Sequence, residues 1–354
     1  MTQPSVRLTG LGTAVPEHVL DQPAVRDRAM SLFGAARTDM TRLRSVFDNA
    51  GVSRRHTCLP LDAYGVDRGW AARNALYLTH AVDLVERTAR SVLDDSGLAP
   101  GDIDAVVTVS TTGVATPSLD AYLLNRLGLR RDIVRLPIFG LGCCGGVTGL
   151  SRAAEVARAI PGRRVLFLTV ELCTLTFRPA DTGKSNVIAA ALFADGAAGA
   201  VVSTHRDDGG PELRDWGEHT WPDTLDIMGW NVADDGLGVL FARAIPGLVR
   251  ERFADVAHGF LERNGLAAQD LVGHACHPGG AKVVEALEEA LDLPFGGLSQ
   301  SRAVLRDYGN MSAPSVLFVL ERLRDRARSG PVLATALGPG FTAGFILFGP
   351  ASTR

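Results

Sequence analysis

Cysteine is scarce in this chain of 354 residues, and long apolar runs are missing. No CxxC pair occurs, and no His/Cys cluster has the spacing of a tetrahedral zinc site, so we do not expect a structural metal. The cysteines are odd in number and scattered, which argues against a disulfide framework and indicates a reducing, cytoplasmic setting; they are Cys58, Cys143, Cys144, Cys173 and Cys276. No apolar stretch approaches the length of a membrane span, and residues 1–10 lack the basic start and apolar run of a secretory signal.

The chain also lacks an excess of charge of either sign. Its 36 basic and 39 acidic residues are interspersed and give a net charge of −3 at pH 7. This balance gives no reason to expect nucleic acid or an anionic membrane as the main partner. Hydrophobic residues make up 46% of the chain and glycines number 39, which predicts an α/β protein of closely packed layers. The length predicts two halves or one large layered core.

Short β-like runs alternate with helical ones along both parts of the chain. In an open α/β sheet built from strand–turn–helix units, ligands bind at the carboxyl edge of the strands. A polar, turn-rich stretch at 205–211 predicts a boundary, with an N-terminal half at 1–205 and a C-terminal half at 206–354. Strands are predicted at 104–110, 133–139, 164–170, 197–203, 271–276, 332–337 and 342–348, and helices at 117–127, 147–160, 246–264, 281–291 and 312–328.

Three short segments rich in glycine and small residues each contain one chemically capable side chain. They are GCCGG at 142–146, HPGG at 277–280 and GNMSAP at 309–314. Together Cys143, His277 and Asn310 offer a thiol nucleophile, a partner that can hold it as thiolate, and a neutral amide donor. This set suits acyl transfer through a thioester, followed by a step that develops negative charge on oxygen. We therefore predict that folding brings the three side chains together.

Cys143 lies at a predicted strand-to-helix junction, where the positive end of a helix favours a thiolate. With a histidine partner, such a setting lowers the pKa of a cysteine to roughly 3.5–7.5. One alternative is that Cys143 is a small buried filler, and another is that Cys144 is the nucleophile. Consecutive helical residues point to different faces, so we assign Cys143 to the site and Cys144 to packing.

His277 and Asn310 each have a structural alternative. A lone histidine on an apolar strand is usually a core residue, but His277 is the one histidine of eight that lies in a glycine-lined turn. Asn310 directly precedes a predicted helix and by itself suits an N-cap or a turn. The presence of all three motifs in one chain favours catalytic roles for both residues.

The three motifs together resemble those of the type III polyketide synthases, the chalcone-synthase-like members of the thiolase fold. The resemblance extends through most of the chain and includes AVPEH at 14–18, TTG at 111–113, TFRP at 176–179, ALFADG at 191–196, IPG at 245–247 and GPG at 338–340. It implies an α/β fold of the thiolase type, layered αβαβα and built from two similar halves, in a bacterial-type member. One departure is Cys144-Gly145, since the family usually has Ala or Phe-Ala after the nucleophile.

The resemblance also implies a mechanism without a metal or redox cofactor, in which coenzyme A thioesters are the substrates. Cys143 would carry the growing acyl chain, and His277 would hold its thiolate. His277 and Asn310 would stabilise the enolate that forms when malonyl-CoA loses carbon dioxide. An acyl-CoA starter would be extended by decarboxylative Claisen condensation and cyclised to an alkylpyrone, alkylresorcinol or related aromatic polyketide. A homodimer is implied as well.

The resemblance carries further site residues. Phe193 matches the family's gatekeeper phenylalanine, and Val239 matches the second gatekeeper position, which is usually Phe in plant members. Positions that shape the cavity are matched by Trp230, Cys173, Thr176, Thr112, Thr116 and Ser312. Thr116 is near the position that reaches the partner's cavity. Positions near the bound coenzyme A are matched by Arg54, Arg55, Gly279 and Gly280, although an arginine pair also suits a solvated face.

Three alternative functions remain open at this point. The first is a tetrahydroxynaphthalene-type synthase that uses malonyl-CoA alone, because Leu172-Cys173 and the AVPEH segment resemble those members too. Met228-Gly229-Trp230 with Val239 resembles instead the bacterial members that extend aliphatic starters. The second alternative is a β-ketoacyl synthase of the same fold, which performs one condensation on a carrier protein and needs a basic docking patch. The third is an inactive thiolase-fold partner subunit, against which the intact Cys, His and Asn argue.

Overall fold

The computed structural model describes residues 4–33 and 40–351. Residues 1–3 and 352–354, at the outer ends of the two predicted halves, lie outside the described residues. The strands are β1 (Val6–Ala14), β2 (His18–Asp21), β3 (Arg54–Thr57), β4 (Ala105–Val109), β5 (Val134–Ile138), β6 (Arg164–Leu172), β7 (Asp195–Ser203), β8 (Glu212–Thr220), β9 (Met228–Ala233), β10 (Gly236–Phe241), β11 (Gly273–Cys276), β12 (Val332–Gly338) and β13 (Thr342–Gly349). The helices are α1 (Gln22–Phe33), α2 (Met40–Asp48), α3 (Trp70–Ser96), α4 (Leu119–Leu127), α5 (Gly145–Ala159), α6 (Lys184–Leu192), α7 (Ile245–Glu262), α8 (Ala281–Ala290), α9 (Ser299–Tyr308) and α10 (Pro314–Ser329). Every predicted strand and helix is present, with ends shifted by no more than two residues.

Nine of the strands form one continuous sheet in the order β11-β12-β13-β8-β1-β7-β6-β4-β5. Strand β4 pairs in parallel with β5 and β6, and β11 pairs in parallel with β12. The predicted halves meet where β1 pairs with β8, with Val6 opposite Leu213 and Arg7 opposite Glu212. The predicted boundary lies in the turn that connects β7 to β8.

Alternate residues of the central strands face different layers of helices. In β6, Leu166 and Leu168 pack in the cluster that contains α3 and α4. Val165 and Phe167 face the opposite way and pack with α5 and α10. Strand β13 divides its side chains in the same manner between α5 and α10 on one side and α7 and α8 on the other. The two parts of the nine-stranded sheet therefore form two sheet layers, one on each side of α5 and α10. The resulting order of layers is helix, sheet, helix, sheet, helix, which confirms the predicted αβαβα architecture.

The two helices of the middle layer contact each other near their N-termini. A Cβ atom on Gly146 would lie 2.2 Å from the carbonyl oxygen of Ala313, which directly precedes α10. Only glycine permits this approach. The loops that precede α5 and α10 therefore lie side by side, and these loops carry two of the three predicted catalytic residues.

Among the helices of the described residues, none has both the length and the apolar character that crossing a membrane requires.

Candidate active site

Cys143 lies in a 3-10 turn, Gly142–Cys144, between β5 and α5. Gly142 has a left-handed backbone with φ of 51°, and a Cβ atom there would lie 2.6 Å from Cδ of Pro339. The turn therefore requires glycine at this position. The Cys143 side chain is 9% exposed and contacts Ser312, whose hydroxyl donates a hydrogen bond to Sγ at 3.4 Å.

The electrostatic setting of Cys143 differs from the predicted one. Burial raises the pKa of its thiol to about 11, and the hydrogen bond from Ser312 counters this only in part. The predicted lowering of this pKa is not found, because burial disfavours the thiolate more than its hydrogen bonds favour it. Burial therefore favours the neutral thiol of Cys143.

Cys144 points away from this site. Its Sγ donates to the carbonyl oxygen of Ala336 on β12 at 3.5 Å, and the residue belongs to the cluster between the sheet and the middle helices. Burial raises the pKa of this thiol as well. The structure agrees with the assignment of Cys144 to packing.

Asn310 lies in the loop between α9 and α10, where its backbone pairs with the segment before β7. Its N–H donates to the carbonyl oxygen of Leu192 at 2.8 Å, and its carbonyl oxygen accepts from the N–H of Ala194 at 2.9 Å. The side-chain Nδ2 donates to the carbonyl oxygen of Gly279 at 3.0 Å. Oδ1 accepts from the N–H of Ser312 at 2.8 Å. The amide thus closes a turn and also lies against the HPGG segment.

His277 directly follows β11, and its N–H donates to the carbonyl oxygen of Thr335 at 2.8 Å. The residue is 4% exposed, yet neither ring nitrogen has a hydrogen-bond partner among residues 4–33 and 40–351. Burial lowers the pKa of His277 to about 4, so its imidazole is neutral at neutral pH. Core histidines are normally hydrogen-bonded, and an unpartnered buried ring indicates a binding site instead.

A chain of contacts connects the three predicted catalytic residues. Ser312 contacts Cys143 through its hydroxyl and Asn310 through its N–H. Gly279 accepts from Asn310, and a Cβ atom on Gly279 would lie 3.8 Å from Nε2 of His277. The structure therefore brings together Cys143, His277 and Asn310 from three loops that are far apart in the sequence.

Ser312, at the centre of this chain of contacts, has an unusual backbone. Its φ is 57°, in the left-handed region. This conformation costs a residue with a Cβ atom about 1 kcal/mol or more. It directs the N–H of Ser312 to Asn310 and the hydroxyl to Cys143. The strain is located where two predicted catalytic residues meet.

Cys143 lines a cavity of about 40 Å³, which we call the thiol cavity. Five of the predicted cavity residues line it as well: Cys173, Phe193, Trp230, Val239 and Ser312. The rings of Phe193 and Trp230 meet edge to face, with centroids 6.4 Å apart. The indole N–H of Trp230 donates to the carbonyl oxygen of Thr111 at 2.9 Å. The walls are mainly apolar, which suits chemistry that water would disrupt.

A larger cavity of about 430 Å³, here the entrance cavity, adjoins the thiol cavity. Gly279 and Gly280, both predicted near coenzyme A, line it. Its lining also includes two exposed cations that the sequence analysis missed, Arg243 and Lys282. Phe241 lines both cavities and forms part of the wall between them. Arg243 shortly precedes the IPG segment and Lys282 shortly follows the HPGG segment, and this closeness to the motifs was the signal in the sequence.

A third cavity, here the apolar cavity, has a volume of about 60 Å³. It shares Cys173 and Phe193 with the thiol cavity, so the two are neighbours. Thr176 lines the apolar cavity, and its hydroxyl donates to the carbonyl oxygen of Cys173 at 2.7 Å. Most other lining residues are apolar and include Leu20, Val25, Ala29, Leu32, Leu61 and Ala190.

Arg55 is not available to a coenzyme A phosphate. It is 2% exposed, and its guanidinium donates to carbonyl oxygens of the segment 190–193 and to the side-chain oxygen of Gln22. Burial lowers the pKa of Arg55 to about 10. The structure corrects the prediction for Arg55, because its donors hold the backbone that leads to Phe193. Arg54 is exposed on β3.

Thr112 and Thr116 line neither the thiol cavity nor the apolar cavity. The Thr112 hydroxyl donates to the carboxyl group of Glu171 at 2.7 Å and accepts from the N–H of Leu172 at 2.9 Å. Thr112 thus serves the local structure. Thr116 is exposed in the loop before α4.

Glu171 is a buried residue near the thiol cavity that the sequence analysis missed. Its carboxyl group accepts from the N–H of Thr111 at 3.0 Å as well as from Thr112. Thr111 in turn accepts at its hydroxyl from the N–H of Gly142 at 3.3 Å. Burial raises the pKa of Glu171 to about 7. A single acidic residue in the apolar run of β6 was the available signal.

The described residues offer little coordination chemistry. In residues 4–33 and 40–351, no group of three or more His, Cys, Asp or Glu side chains is arranged to hold a metal ion. All five cysteines are free and buried.

Comparison with known proteins assigns the chain to a family. The sequence profiles of the chalcone and stilbene synthases match residues 2–206 with their N-terminal domain and residues 215–353 with their C-terminal domain. A 1,3,6,8-tetrahydroxynaphthalene synthase of Streptomyces peucetius subsp. caesius is 39% identical over 95% of this chain and 90% of its own length. A putative chalcone synthase of Bacillus subtilis (strain 168) is 33% identical over 96% of this chain and 98% of its own length.

Solved structures agree with this assignment. The bacterial type III polyketide synthase 1,3,6,8-tetrahydroxynaphthalene synthase of Streptomyces coelicolor A3(2) superposes with a TM-score of 0.93 at 29% identity, over 98% of this chain and 100% of that one. PKS-I of the brown alga Ectocarpus siliculosus superposes with a TM-score of 0.92 at 26% identity, over 99% and 100% of the two chains. The predicted thiolase-type fold and the resemblance are thus both confirmed. The chain belongs to the chalcone and stilbene synthase family and is a type III polyketide synthase, one of the condensing acyltransferases.

Proposed function

We propose that Cys143, His277 and Asn310 catalyse the extension of an aliphatic acyl-CoA starter by malonyl-CoA. The observation that carries this proposal is the chain of contacts that joins the three side chains beside the thiol cavity. The final product is an alkylpyrone, an alkylresorcinol or a related aromatic polyketide. Coenzyme A thioesters are the substrates, and the chemistry draws on no separate cofactor.

Loading begins with a neutral pair, since burial keeps Cys143 a thiol and His277 an imidazole. The unpartnered His277 ring accepts the proton from Sγ as the sulfur attacks the thioester carbonyl carbon of the starter. The bond between that carbon and the coenzyme A sulfur breaks, and the leaving thiolate takes the proton back from His277. The acyl chain is then attached to Cys143 as a thioester.

Condensation requires donors at the position where negative charge develops. When malonyl-CoA loses carbon dioxide, the electrons of the broken C–C bond form an enolate. The neutral imidazole of His277 carries one N–H, and Asn310 Nδ2 carries two, of which Gly279 uses one. Both residues thus have a donor for the enolate oxygen. The enolate carbon then attacks the thioester on Cys143, the new C–C bond forms, and Sγ leaves.

The entrance cavity supports a path for the coenzyme A moiety. Gly279 and Gly280 bring backbone to its surface at the end nearest His277. Arg243 and Lys282 supply positive charge along the same cavity, which suits the phosphates of coenzyme A. We propose these two residues as phosphate ligands in place of Arg55.

The apolar cavity supports the choice of an aliphatic starter. It adjoins the thiol cavity at Cys173 and Phe193, and its lining leads toward α1 through Ala29 and Leu32. An alkyl chain on Cys143 has a place there that removes it from water. The second candidate is extension from malonyl-CoA alone, which the name of the 39% identical Streptomyces relative favours.

Replacing Ala190 with leucine is expected to exclude long starters, because the added carbons narrow the apolar cavity that Ala190 lines. We expect kcat/KM for dodecanoyl-CoA to fall by about tenfold or more, corresponding to about 1.4 kcal/mol, and that for butanoyl-CoA to change little. The measurement is incubation with malonyl-CoA and a ladder of acyl-CoA starters, with products identified by mass.

The matched control is Ala254→Leu, at a half-buried alanine on α7 that lines none of the three cavities described above. An equal fall in kcat/KM for short and long starters in Ala190→Leu would contradict the proposed place of the alkyl chain in the apolar cavity. Products that never incorporate the acyl starter would support the malonyl-only alternative.

We also propose a homodimer formed through β5. This strand is at the end of the sheet order, and along its outer edge the described chain has no pairing strand. Exposed apolar side chains surround it: Val114, Tyr122, Val134, Leu136 and Phe139. A cluster of exposed apolar side chains is normally covered, and a second copy offers a matching cluster.

Leu136→Lys is expected to weaken this dimer by at least about tenfold, since it places a charge in the apolar edge. Light scattering over a range of protein concentrations measures the effect. The control is Leu225→Lys, at an exposed leucine outside the patch. A monomeric wild-type protein would contradict the proposed dimer. Equal molar masses in solution for Leu136→Lys and Leu225→Lys would contradict the proposed interface.

The cytoplasm is the compartment that we propose. The five free, buried cysteines and the coenzyme A substrates support it.

A further inference from the structure

Nearly half of the residues that line the thiol cavity belong to a hairpin outside the main sheet. Strands β9 and β10 pair only with each other and form a separate two-stranded sheet within the described residues. Six of their residues line the thiol cavity: Met228, Gly229, Trp230, Val239, Leu240 and Phe241. Any displacement of the hairpin therefore changes the width of this cavity and the wall that it shares with the entrance cavity.

The far end of the hairpin is exposed along β9 and in the turn, while residues 236–238 of β10 are buried, and a Cβ atom on Gly236 would lie 3.4 Å from the ring of Trp70. Residues 231–235 are all exposed, and Val232 is 77% exposed. Near the base, Trp230 is held by its hydrogen bond to Thr111. A two-stranded hairpin has little stability of its own, so the packing of β10 and the contacts of the turn together decide how firmly it stays in place.

Arg178 contacts the tip of this hairpin at two points. Its guanidinium pairs with Asp235, in the turn between β9 and β10, at 2.9 Å. A Cβ atom on Gly238 of β10 would lie 2.7 Å from Nη2 of Arg178, so the guanidinium also lies against the strand backbone. The hairpin is thus attached to the segment that follows β6.

Arg178 is itself held firmly. Its guanidinium also pairs with Asp181 at 2.8 Å. The buried side chain of Asn186 donates to the carbonyl oxygens of Arg178 at 2.8 Å and of Asp181 at 2.7 Å. A side chain with a fixed base and two ionic partners is suited to position another element.

From these contacts we infer that Arg178 is a positioning residue that holds the β9–β10 hairpin against the thiol cavity through Asp235 and thereby controls how far the polyketide chain grows before release. The inference rests on the proposed function of Cys143. A displaced hairpin admits water, and water releases the chain from the thioester early. The expected products of a loosened hairpin are therefore shorter acids and pyrones.

Asp235→Asn tests this inference with little risk to folding, because Asp235 is exposed and the substitution keeps its shape. We expect the fraction of early-released products to rise about two- to fivefold, since the pair is partly exposed and its interaction is modest. We also expect faster hydrogen exchange at the amides of residues 228–241. Asp235→Asn combined with Arg178→Gln is expected to have no more effect than Arg178→Gln alone.

The matched control is Glu289→Gln, which removes the exposed pair between Arg250 and Glu289 on α7 and α8. Exchange and product lengths in Asp235→Asn that equal those of this control would overturn the inference. Faster exchange in Asp235→Asn without a change in product length would refute the part of the inference that links the hairpin to chain growth. A wild-type protein that forms no polyketide would refute the proposed function. Hydrogen exchange requires no activity, so the exchange rates of residues 228–241 would still test whether Arg178 positions the hairpin.

Discussion

Replacing Cys143 with alanine is expected to abolish condensation. The only other thiol that lines the thiol cavity among the described residues is that of Cys173. Burial raises the pKa of Cys173 well above its ordinary value, so this thiol is a poor substitute nucleophile. We expect product formation to fall by at least about 10³-fold, as for the loss of other covalent nucleophiles. The measurement is product formation from acyl-CoA and malonyl-CoA, together with mass spectrometry of the protein after exposure to the starter alone.

Cys144→Ala is the control for this prediction, because it removes a thiol from the next position in the chain. Cys144 packs against β12, and its loss is expected to lower stability by about 1–2 kcal/mol with little change in turnover. Iodoacetamide should alkylate Cys143 first, and acyl-CoA should protect it. Retention of full condensing activity in Cys143→Ala, with loss in Cys144→Ala, would reverse our assignment of the nucleophile.

Asn310→Ala is expected to impair mainly the decarboxylation of malonyl-CoA. The enolate oxygen would lose one of its two donors, and removal of such a donor typically costs about 10²–10³ in rate. Loading of the starter onto Cys143 should change much less, since Asn310 has no part in the attack of the thiol. The rate of carbon dioxide release from malonyl-CoA and the mass of the loaded protein measure the two steps separately.

The same substitution has a structural cost that needs its own control. Asn310 satisfies the carbonyl oxygen of Gly279 and the N–H of Ser312, and leaving these buried groups unpaired costs about 1–3 kcal/mol. Asn310→Asp retains the acceptor for Ser312 and removes the donors, so it separates the two effects. Decarboxylation within about threefold of wild type in both folded variants would refute the proposed role of Asn310.

Burial favours the neutral forms of both Cys143 and His277. Burial raises the pKa of Cys143 to about 11 and lowers that of His277 to about 4. Both shifts oppose an ion pair, so a proton has to move from sulfur to imidazole when the substrate is attacked. The two groups then titrate as a coupled pair, and a pH profile of activity reports the pair and not either residue alone.

Much of the fold was predictable because its local signals agree with its packing. β4, β6 and β13 are buried on both faces, and such strands appear in the sequence as continuous apolar runs. β9 and β10 were missed, since a partly exposed hairpin has neither such a run nor strict alternation. The long helix α3 was missed as well, although Gly97 at its end has the left-handed backbone of a helix C-terminus.

Roles that depend on the environment of a side chain were less predictable. Arg55 follows Arg54 in the sequence, yet one guanidinium is buried among carbonyl oxygens and the other residue is exposed. The alternation of side chains along β3 separates them, and the identity of what covers each face comes from distant segments. For the same reason Phe241 was missed, because two cavities meet at it only after the hairpin has packed.

The sequence by itself determined the family, the layered fold and the three reactive residue types, because each depends on motifs and periodicities that are local in the chain. Only the tertiary structure decided that Ser312 and Gly279 connect those residues, that burial disfavours the charged forms of Cys143 and His277, and which arginine is free to meet a ligand. Burial and hydrogen bonding set these properties, and both arise from segments that are close in space but far apart in sequence.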